Sequence, residues 1–181
     1  SASAASSPAT VFDTALGFQG VWHMSERGNE VALDATANRY DGLAYGMSGF
    51  TWNPGVVGNA RVFNGTASYI TMPNTAKSTL DFPQEGTYAV SAWVLLDALD
   101  NASHVIVAKG YEQYYLRVTS LRSTVPLWEF VEFNETTKWQ TSTAPAAAGR
   151  WTLLTAVRQG GKQLLYCNGE LVDSTVEIWQ N

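Results

Sequence analysis

The sequence has little cysteine, little histidine and little charge, and each shortage excludes a class of protein. Cys167 is the single cysteine, so a disulfide framework within the chain is excluded. The two histidines, His23 and His104, and this one cysteine do not have the spacing of a zinc site. Lysine and arginine number 11 against 16 aspartates and glutamates, and the net charge is −5. Because binding through phosphate groups needs a basic face, we predict no nucleic-acid partner.

Long apolar runs are also missing. No run approaches the ~18 apolar residues of a membrane span, and no basic segment followed by an apolar one opens the chain. We therefore predict no membrane insertion. The opening segment, residues 1–12, is rich in serine and alanine and is predicted to be a flexible linker or tail. Residues 13–181 have a length typical of one domain.

Aromatic residues are plentiful, with seven Trp, eight Tyr and seven Phe, and they occur in short runs typical of β-strands. The strongest predicted strands are 87–96, 151–157 and 162–167, each bounded by turn-forming residues. Gly160-Gly161 and Asn168-Gly169 predict two tight hairpins that join the last strands into a meander. Further strands are predicted at 20–24, 42–45, 61–63, 69–72, 105–108, 114–119, 127–133 and 139–143. We predict an all-β fold, a two-sheet antiparallel sandwich or jelly roll.

A series of short motifs then follows in a recognisable order. The motifs are Gly20–Glu26, Asp34–Asn38, Asp41-Gly42, Gly55–Gly58, Ala60–Gly65, Tyr69-Ile70, Val90–Val94, Ile106–Gly110, Gly149–Thr152 and Leu165–Gly169. Over roughly residues 18–175 the chain resembles the laminin G-like branch of the concanavalin A-like lectin/glucanase superfamily. The resemblance implies a concave and a convex sheet, and a module of a secreted, periplasmic or cell-surface bacterial protein.

The C-terminal part departs from the pattern of that family. Its domains usually continue past the Asn-Gly hairpin with two or three more strands, whereas this sequence ends at Asn181. We expect either a truncated domain or closing strands that come from elsewhere. The open edge of the C-terminal sheet would then pair with another chain, a neighbouring copy or residues 1–12, because an unpaired edge exposes backbone hydrogen-bonding groups.

Catalysis requires a particular arrangement of carboxylates that the sequence does not provide. A glycosidase needs two carboxylates that face one substrate. Glu129 and Glu132 are three residues apart on a predicted strand, so their side chains should point to opposite faces, and the same holds for Glu132 and Glu135. No nucleophile elbow or nucleotide-binding glycine loop occurs. We expect a module that is not an enzyme, with a glycoside hydrolase as the less favoured alternative.

Carbohydrate binding is the preferred function. A sugar ring stacks its apolar face on an aromatic side chain, while polar side chains bind its hydroxyl groups. Trp128 is predicted to contribute more to the affinity for a polysaccharide or other glycan than any charged residue does and, if its ring is exposed, to tolerate substitution by alanine without loss of the fold. The alternative for each of these aromatic residues is that its ring fills the sandwich. The alternative is a structural or adhesion module that contacts a protein partner. The predicted ligand-binding residues are Trp128, Glu129, Trp139, Tyr111 and Tyr114.

Two further expectations follow from the resemblance. It implies that Trp22, Trp93 and Trp151 pack in the core. It also implies a structural calcium ion near Asp34, with Asn64 close by, because calcium prefers carboxylate and carbonyl oxygens. The alternative is that Asp34 only caps its own turn.

Overall fold

The chain forms two compact units, Ser1–Leu80 and Asp81–Asn181, and each is described by itself. The structure is a computed structural model that describes residues 7–48, 53–73, 78–82, 86–110, 113–121, 123–133 and 139–176, without the side chains of 139–141. The flexible segment 1–12 and the single domain 13–181 stay predictions. Within the described ranges, no helix is long and apolar enough to cross a membrane.

The first unit consists of short elements joined by ordered loops. Its described residues form a one-turn helix, a 3-10 helix at Thr14–Leu16 and four short strands. The bounds are α1 Pro8–Val11, β1 Leu43–Tyr45, β2 Asn53–Pro54, β3 Asn59–Ala60 and β4 Tyr69–Thr71. β1 pairs with β4 and β2 pairs with β3, both antiparallel. The predicted strand at 61–63 is wrong, because the pairing stops at Ala60, and the predicted strand at 20–24 is reduced to a single bridge at Trp22.

The second unit is a sandwich of two four-stranded antiparallel sheets. The strand bounds are β5 Tyr88–Leu95, β6 His104–Lys109, β7 Tyr114–Thr119, β8 Leu127–Phe133, β9 Trp139–Pro145, β10 Trp151–Gln159, β11 Lys162–Cys167 and β12 Glu170–Val176. One sheet has the order β12-β11-β10-β5 and the other β6-β7-β8-β9. The prediction of an all-β, two-sheet antiparallel sandwich is confirmed.

The core of this unit lies between its two sheets. Successive side chains of a strand point to opposite faces, and β10 accordingly alternates between buried and half-buried residues. The buried rows of both sheets form one hydrophobic cluster. Its most buried members are Leu116, Val118, Trp128, Phe130, Leu154, Ala156 and Leu165.

Two tight turns determine the register of the C-terminal meander. Gln159 pairs with Lys162 across Gly160-Gly161, and Cys167 pairs with Glu170 across Asn168-Gly169. All four turn residues have positive φ, between 52° and 86°, which is the backbone of a type I′ turn. Both predicted hairpins are therefore confirmed.

The outer edge at β12 carries features that protect edge strands. Among the described residues, β12 forms a ladder only with β11, and the register shifts by a bulge between Leu165 and Tyr166. The Asp173 carboxylate accepts a hydrogen bond of 2.7 Å from the backbone N–H of Thr143 in β9, which joins the edges of the two sheets. Bulges and charged groups at an edge disfavour unwanted pairing. Pairing of this edge with another segment stays a prediction.

The burial of Trp128 predicts a large loss of stability on truncation. Trp128→Ala should lower the free energy of unfolding by about 3–5 kcal/mol, because it opens a cavity in a closed core. The matched control is Trp93→Ala, because the Trp93 side chain is half-exposed. This variant should lose on the order of 1 kcal/mol of the free energy of unfolding. Urea unfolding followed by far-ultraviolet circular dichroism measures both. Equal losses for the two variants would contradict the assignment of Trp128 to the core.

Candidate functional site

The predicted aromatic platform is not a surface feature. Trp128 is 2% exposed and packs between the sheets, so its ring is not available as an exposed platform and instead fills the core, which was the alternative. Tyr114 is also buried, and its ring stacks on Phe82 with centroids 5.7 Å apart. Tyr111 lies outside the described residues, as does the side chain of Trp139. Trp128 and Tyr114 point into the core because they lie in phase with Leu116 and Phe130.

Glu129 is held in a buried ion pair on the opposite face of β8. It is 1% exposed, and its Oε2 accepts from Nε and Nη2 of Arg117, its cross-strand neighbour in β7. The Arg117 guanidinium also lies over the Tyr115 ring, 4.6 Å from its centroid. A carboxylate with these partners is not available to a ligand in the way that was predicted for Glu129.

Glu132 points between the sheets and connects them. The Tyr88 hydroxyl donates to its Oε1, while Arg158 Nη1 and Gln163 Nε2 donate to its Oε2 at 3.1 and 2.7 Å. These partners lie on β5, β10 and β11 of the facing sheet. Glu129 and Glu132 therefore face opposite sides of β8, as their spacing predicts, and do not converge on one substrate position.

The buried polar cluster also changes the acidity of two tyrosines. Burial raises the pKa of Tyr88 far above its usual value, and the adjacent negative charge of Glu132 adds to the rise. Burial, assisted by the charge of Asp81, raises the pKa of Tyr114 to about 12. Both phenols therefore keep their protons at any physiological pH, and Tyr88 stays a hydrogen-bond donor.

Asp34 organises the loop in which calcium binding was expected. It is fully buried, and its Oδ1 accepts from the backbone N–H groups of Val21 and Thr36. Its Oδ2 accepts from the Thr36 hydroxyl and the Tyr40 backbone N–H. Four donors at 2.9–3.0 Å occupy the four lone-pair positions of the carboxylate.

The side chain of Asn64 likewise accepts hydrogen bonds from its own loop. Its side-chain oxygen accepts from the backbone N–H groups of Thr66, Ala67 and Ser68 and from the Thr66 hydroxyl. Oxygens that are surrounded by N–H and O–H donors do not suit a cation, so Asp34 and Asn64 do not fit the expected calcium site. Among the described residues, no group of three or more His, Cys, Asp or Glu side chains is placed to hold a metal ion.

The outer face of the sheet β12-β11-β10-β5 carries the exposed tryptophan. Trp93 is 48% exposed, which corrects its expected place in the core, while Trp151 is half-buried. Residues 90, 92 and 94 of β5 are the less exposed ones, so period two alone places Trp93 on the opposite face. We call this surface the Trp93 face. It contains Ser91, Trp93, Leu95, Trp151, Leu153, Thr155, Leu164, Tyr166, Leu171 and Val176.

The first unit has a separate exposed aromatic pair that the sequence analysis did not single out. Tyr45 and Tyr69 are cross-strand neighbours on β1 and β4. Their rings stack with centroids 5.1 Å apart and planes 21° apart, and both are exposed. The available signal was that each lies next to an apolar residue of a short strand, which is Ala44, buried, in β1 and Ile70, half-buried, in β4.

Comparison with known proteins identifies the family. A laminin G family model, described as "Concanavalin A-like lectin/glucanases superfamily", matches residues 64–180, which is more than half of the chain. The chain belongs to this laminin G family of the concanavalin A-like superfamily. This confirms the resemblance stated from the sequence motifs.

The other comparisons add little to this assignment of the laminin G domain. A solved structure of an S-layer domain-containing protein from Clostridium thermocellum is similar, with 21% sequence identity and a TM-score of 0.48. The match covers 88% of this chain and 72% of that one. No curated protein sequence matches the chain significantly.

The donor set of Asp34 predicts that the chain is insensitive to calcium at this loop. Excess calcium or a chelator should leave the melting temperature unchanged, whereas Asp34→Asn should lower the free energy of unfolding by about 1–3 kcal/mol, because an amide nitrogen would face an N–H donor. Asp97→Asn, at an exposed position, is the control and should have no effect. A melting temperature that rises with calcium in the wild type but not in Asp34→Asn would overturn this prediction.

The raised pKa of Tyr114 predicts a loss of stability at alkaline pH. An unfolded tyrosine loses its proton near pH 10, whereas folded Tyr114 keeps its proton up to about pH 12. The stabilisation is therefore fully present below pH 10 and is lost as the pH rises from 10 through 12. Urea unfolding across this range, with tyrosinate absorbance, measures the effect. Tyr114→Phe should make the decrease in the free energy of unfolding with rising pH smaller. Tyr69→Phe, at an exposed position, should leave this decrease unchanged. The same pH dependence of the free energy of unfolding in Tyr114→Phe as in the wild type would contradict this role of Tyr114.

Proposed function

We propose that the chain is a non-catalytic recognition module of a secreted, periplasmic or cell-surface protein, and that it binds carbohydrate on the Trp93 face. The observation that carries this proposal is the exposure of Trp93 on a sheet face that also bears hydroxyl groups. The family membership agrees with it, because the superfamily includes lectins as well as glucanases. The family alone does not specify a ligand, since one fold serves many functions.

The ring of Trp93 offers the apolar contact that a sugar needs. It lies on β5, which is an edge strand among the described residues, directly opposite Leu153 of β10. Stacking of the C–H face of a pyranose on this ring would remove apolar surface from water, at about 25 cal/mol per Å². A hydrogen bond from a sugar hydroxyl would contribute a net stabilisation of about 1 kcal/mol, because it replaces one with water. The aromatic contact is therefore expected to dominate the affinity.

Polar groups suited to sugar hydroxyls lie beside the ring. The hydroxyls of Ser91 and Thr155 contact each other at 2.8 Å on the exposed side of the sheet, one pair along from Trp93 and Leu153. The side-chain oxygen of Asn168 accepts from the Leu153 backbone N–H, so the Asn168 amide is fixed near the same row. Hydroxyl and amide groups next to an aromatic ring form the usual lining of a carbohydrate site.

A second candidate function is contact with a protein partner. The same face carries exposed aliphatic side chains at Leu95, Leu171 and Val176, which a sugar does not need. This apolar surface extends to β12, the edge strand at which pairing with another segment was expected. A contiguous apolar patch is typical of a protein interface. A glycoside hydrolase is less favoured, because Glu129 and Glu132 face opposite sides of β8.

The test is a glycan array followed by titration of the best ligand. Trp93→Ala should weaken binding by about 1–3 kcal/mol, as for other truncated interface aromatics. The matched control is Val105→Ala, an exposed position on the other sheet, and it should bind like the wild type. Melting curves on both variants separate a loss of affinity from a loss of fold.

Two outcomes would count against carbohydrate binding. Unchanged affinity in the folded Trp93→Ala variant would remove the Trp93 face as the site. Failure to bind any glycan, with loss of a protein contact in Leu171→Ala, would favour the second candidate.

A further inference from the structure

The two edges of the sheet β12-β11-β10-β5 differ in how they are protected against pairing. The edge at β12 carries Glu170 and Asp173, has a bulge and is joined to β9. The other edge strand, β5, contains no charged residue and no proline, and it pairs with β10 without a bulge over Tyr88–Leu95. Natural edge strands are usually protected by charge, proline or a bulge. Among the described residues, β5 pairs with no second strand, so this edge is open and unprotected.

The core of the sandwich is less well covered at β5 than at the centre of the sheet. The inward side chains of the central strand β10 are buried, whereas those of β5, at Val90, Ala92 and Val94, are only half-buried. Val90 and Val94 pack against the hydrophobic cluster between the sheets. A further strand beside β5 would remove the remaining apolar surface of these residues from water, which is favourable. The edge at β5 therefore suits an added strand that brings apolar side chains of its own.

We propose that the added strand is β5 of a second copy of the chain, and that two copies pair antiparallel through this edge. The four strands of each copy then form one continuous sheet of eight. The sequence left open which edge would pair and whether another chain, a neighbouring copy or residues 1–12 would fill it. The composition of β5 selects the edge, and its fit to itself selects the occupant. The proposal goes beyond carbohydrate binding and does not rest on it.

The sequence of β5 is compatible with pairing to itself. A two-fold axis perpendicular to the sheet keeps the inward side chains of both copies on the same face. When this axis passes between the two Ala92 residues, Val90 of one copy lies opposite Val94 of the other, and Trp93 lies opposite Ser91. Branched apolar residues then meet on the core side, while the large indole ring has a small neighbour on the outer side. Cross-strand pairs of this kind stabilise a sheet.

Charge favours self-pairing at β5 over self-pairing at β12. The chain has a net charge of −5, so self-association is opposed wherever acidic side chains meet. Pairing of two β12 strands would bring Glu170 and Asp173 of both copies together, whereas pairing of two β5 strands brings no charges together. An uncharged strand also gives a basic or an acidic peptide no electrostatic advantage over a second copy.

The first experiment measures the mass of the full chain by sedimentation equilibrium over a range of concentrations, and we expect a reversible dimer. Ser91→Lys should weaken dimerisation about tenfold or more, because it places a charge opposite Trp93 of the other copy. The matched control is Ser174→Lys, at an exposed position of β12, which should dimerise like the wild type. Melting curves show whether both variants are folded. A monomer up to about 1 mM, or a dimer that Ser174→Lys weakens as much as Ser91→Lys does, would overturn the proposal.

A second measurement does not depend on the folding of a variant. Hydrogen exchange of the wild type, followed by mass spectrometry, should be slower in peptides from β5 at high protein concentration than at low concentration, because amides at the open edge become hydrogen-bonded between copies. Peptides from β12 should exchange at the same rate at both concentrations. Concentration-dependent protection at β12 instead of β5 would overturn the proposal. Neither measurement includes a glycan, so failure of this proposal and failure of carbohydrate binding on the Trp93 face are distinguishable.

Discussion

The carboxylate of Glu132 is the interaction on which the sandwich of the second unit depends most. It accepts hydrogen bonds from Tyr88, Arg158 and Gln163, so one side chain of β8 binds three strands of the facing sheet. Desolvation of a carboxylate is costly, and removal of one partner from a buried ion pair destabilises a protein by about 3–5 kcal/mol. The network fixes how the sheets face each other, because its geometry tolerates little sliding. The apolar rows around Phe130 and Leu154 then pack on either side of a polar centre.

The same principle, that buried polar groups must be paired, accounts for the loops of the first unit. Asp34 substitutes for regular secondary structure there, because it accepts the N–H groups that a longer sheet would have paired. Backbone N–H groups that do not pair with a neighbouring strand thus donate hydrogen bonds to side-chain oxygens. Arg61 Nη1 is a buried donor of this unit for which the pairing is incomplete.

The hairpins and sheet class were predictable from the sequence, whereas the burial of Trp128, Tyr114 and Glu129 was not. Asn168-Gly169 is a local signal, because the required positive φ values depend only on the turn residues themselves. The burial of Trp128, by contrast, depends on what covers each face of β8. Five consecutive residues of β8, from Trp128 to Glu132, are buried, so the strand lacks the alternation that distinguishes an exposed face. Its glutamates suggested a solvated strand, but arginines from other strands pair with them. Trp93 could have been found, because β5 does alternate.

The tight turns of the meander have a consequence for the order in which the sandwich folds. β10, β11 and β12 are joined by two-residue turns, so they pair at almost no loop-closure entropy, whereas Ser91 of β5 meets Leu154 of β10 across 63 residues. Contacts between distant residues form slowly. We expect the three-stranded meander to act as a template on which β5 docks late, and pulse-labelled hydrogen exchange that protected β5 first would contradict this order. The strand that carries Trp93 is then also the one expected to open first, so that the Trp93 face would lose its shape under conditions well short of global unfolding.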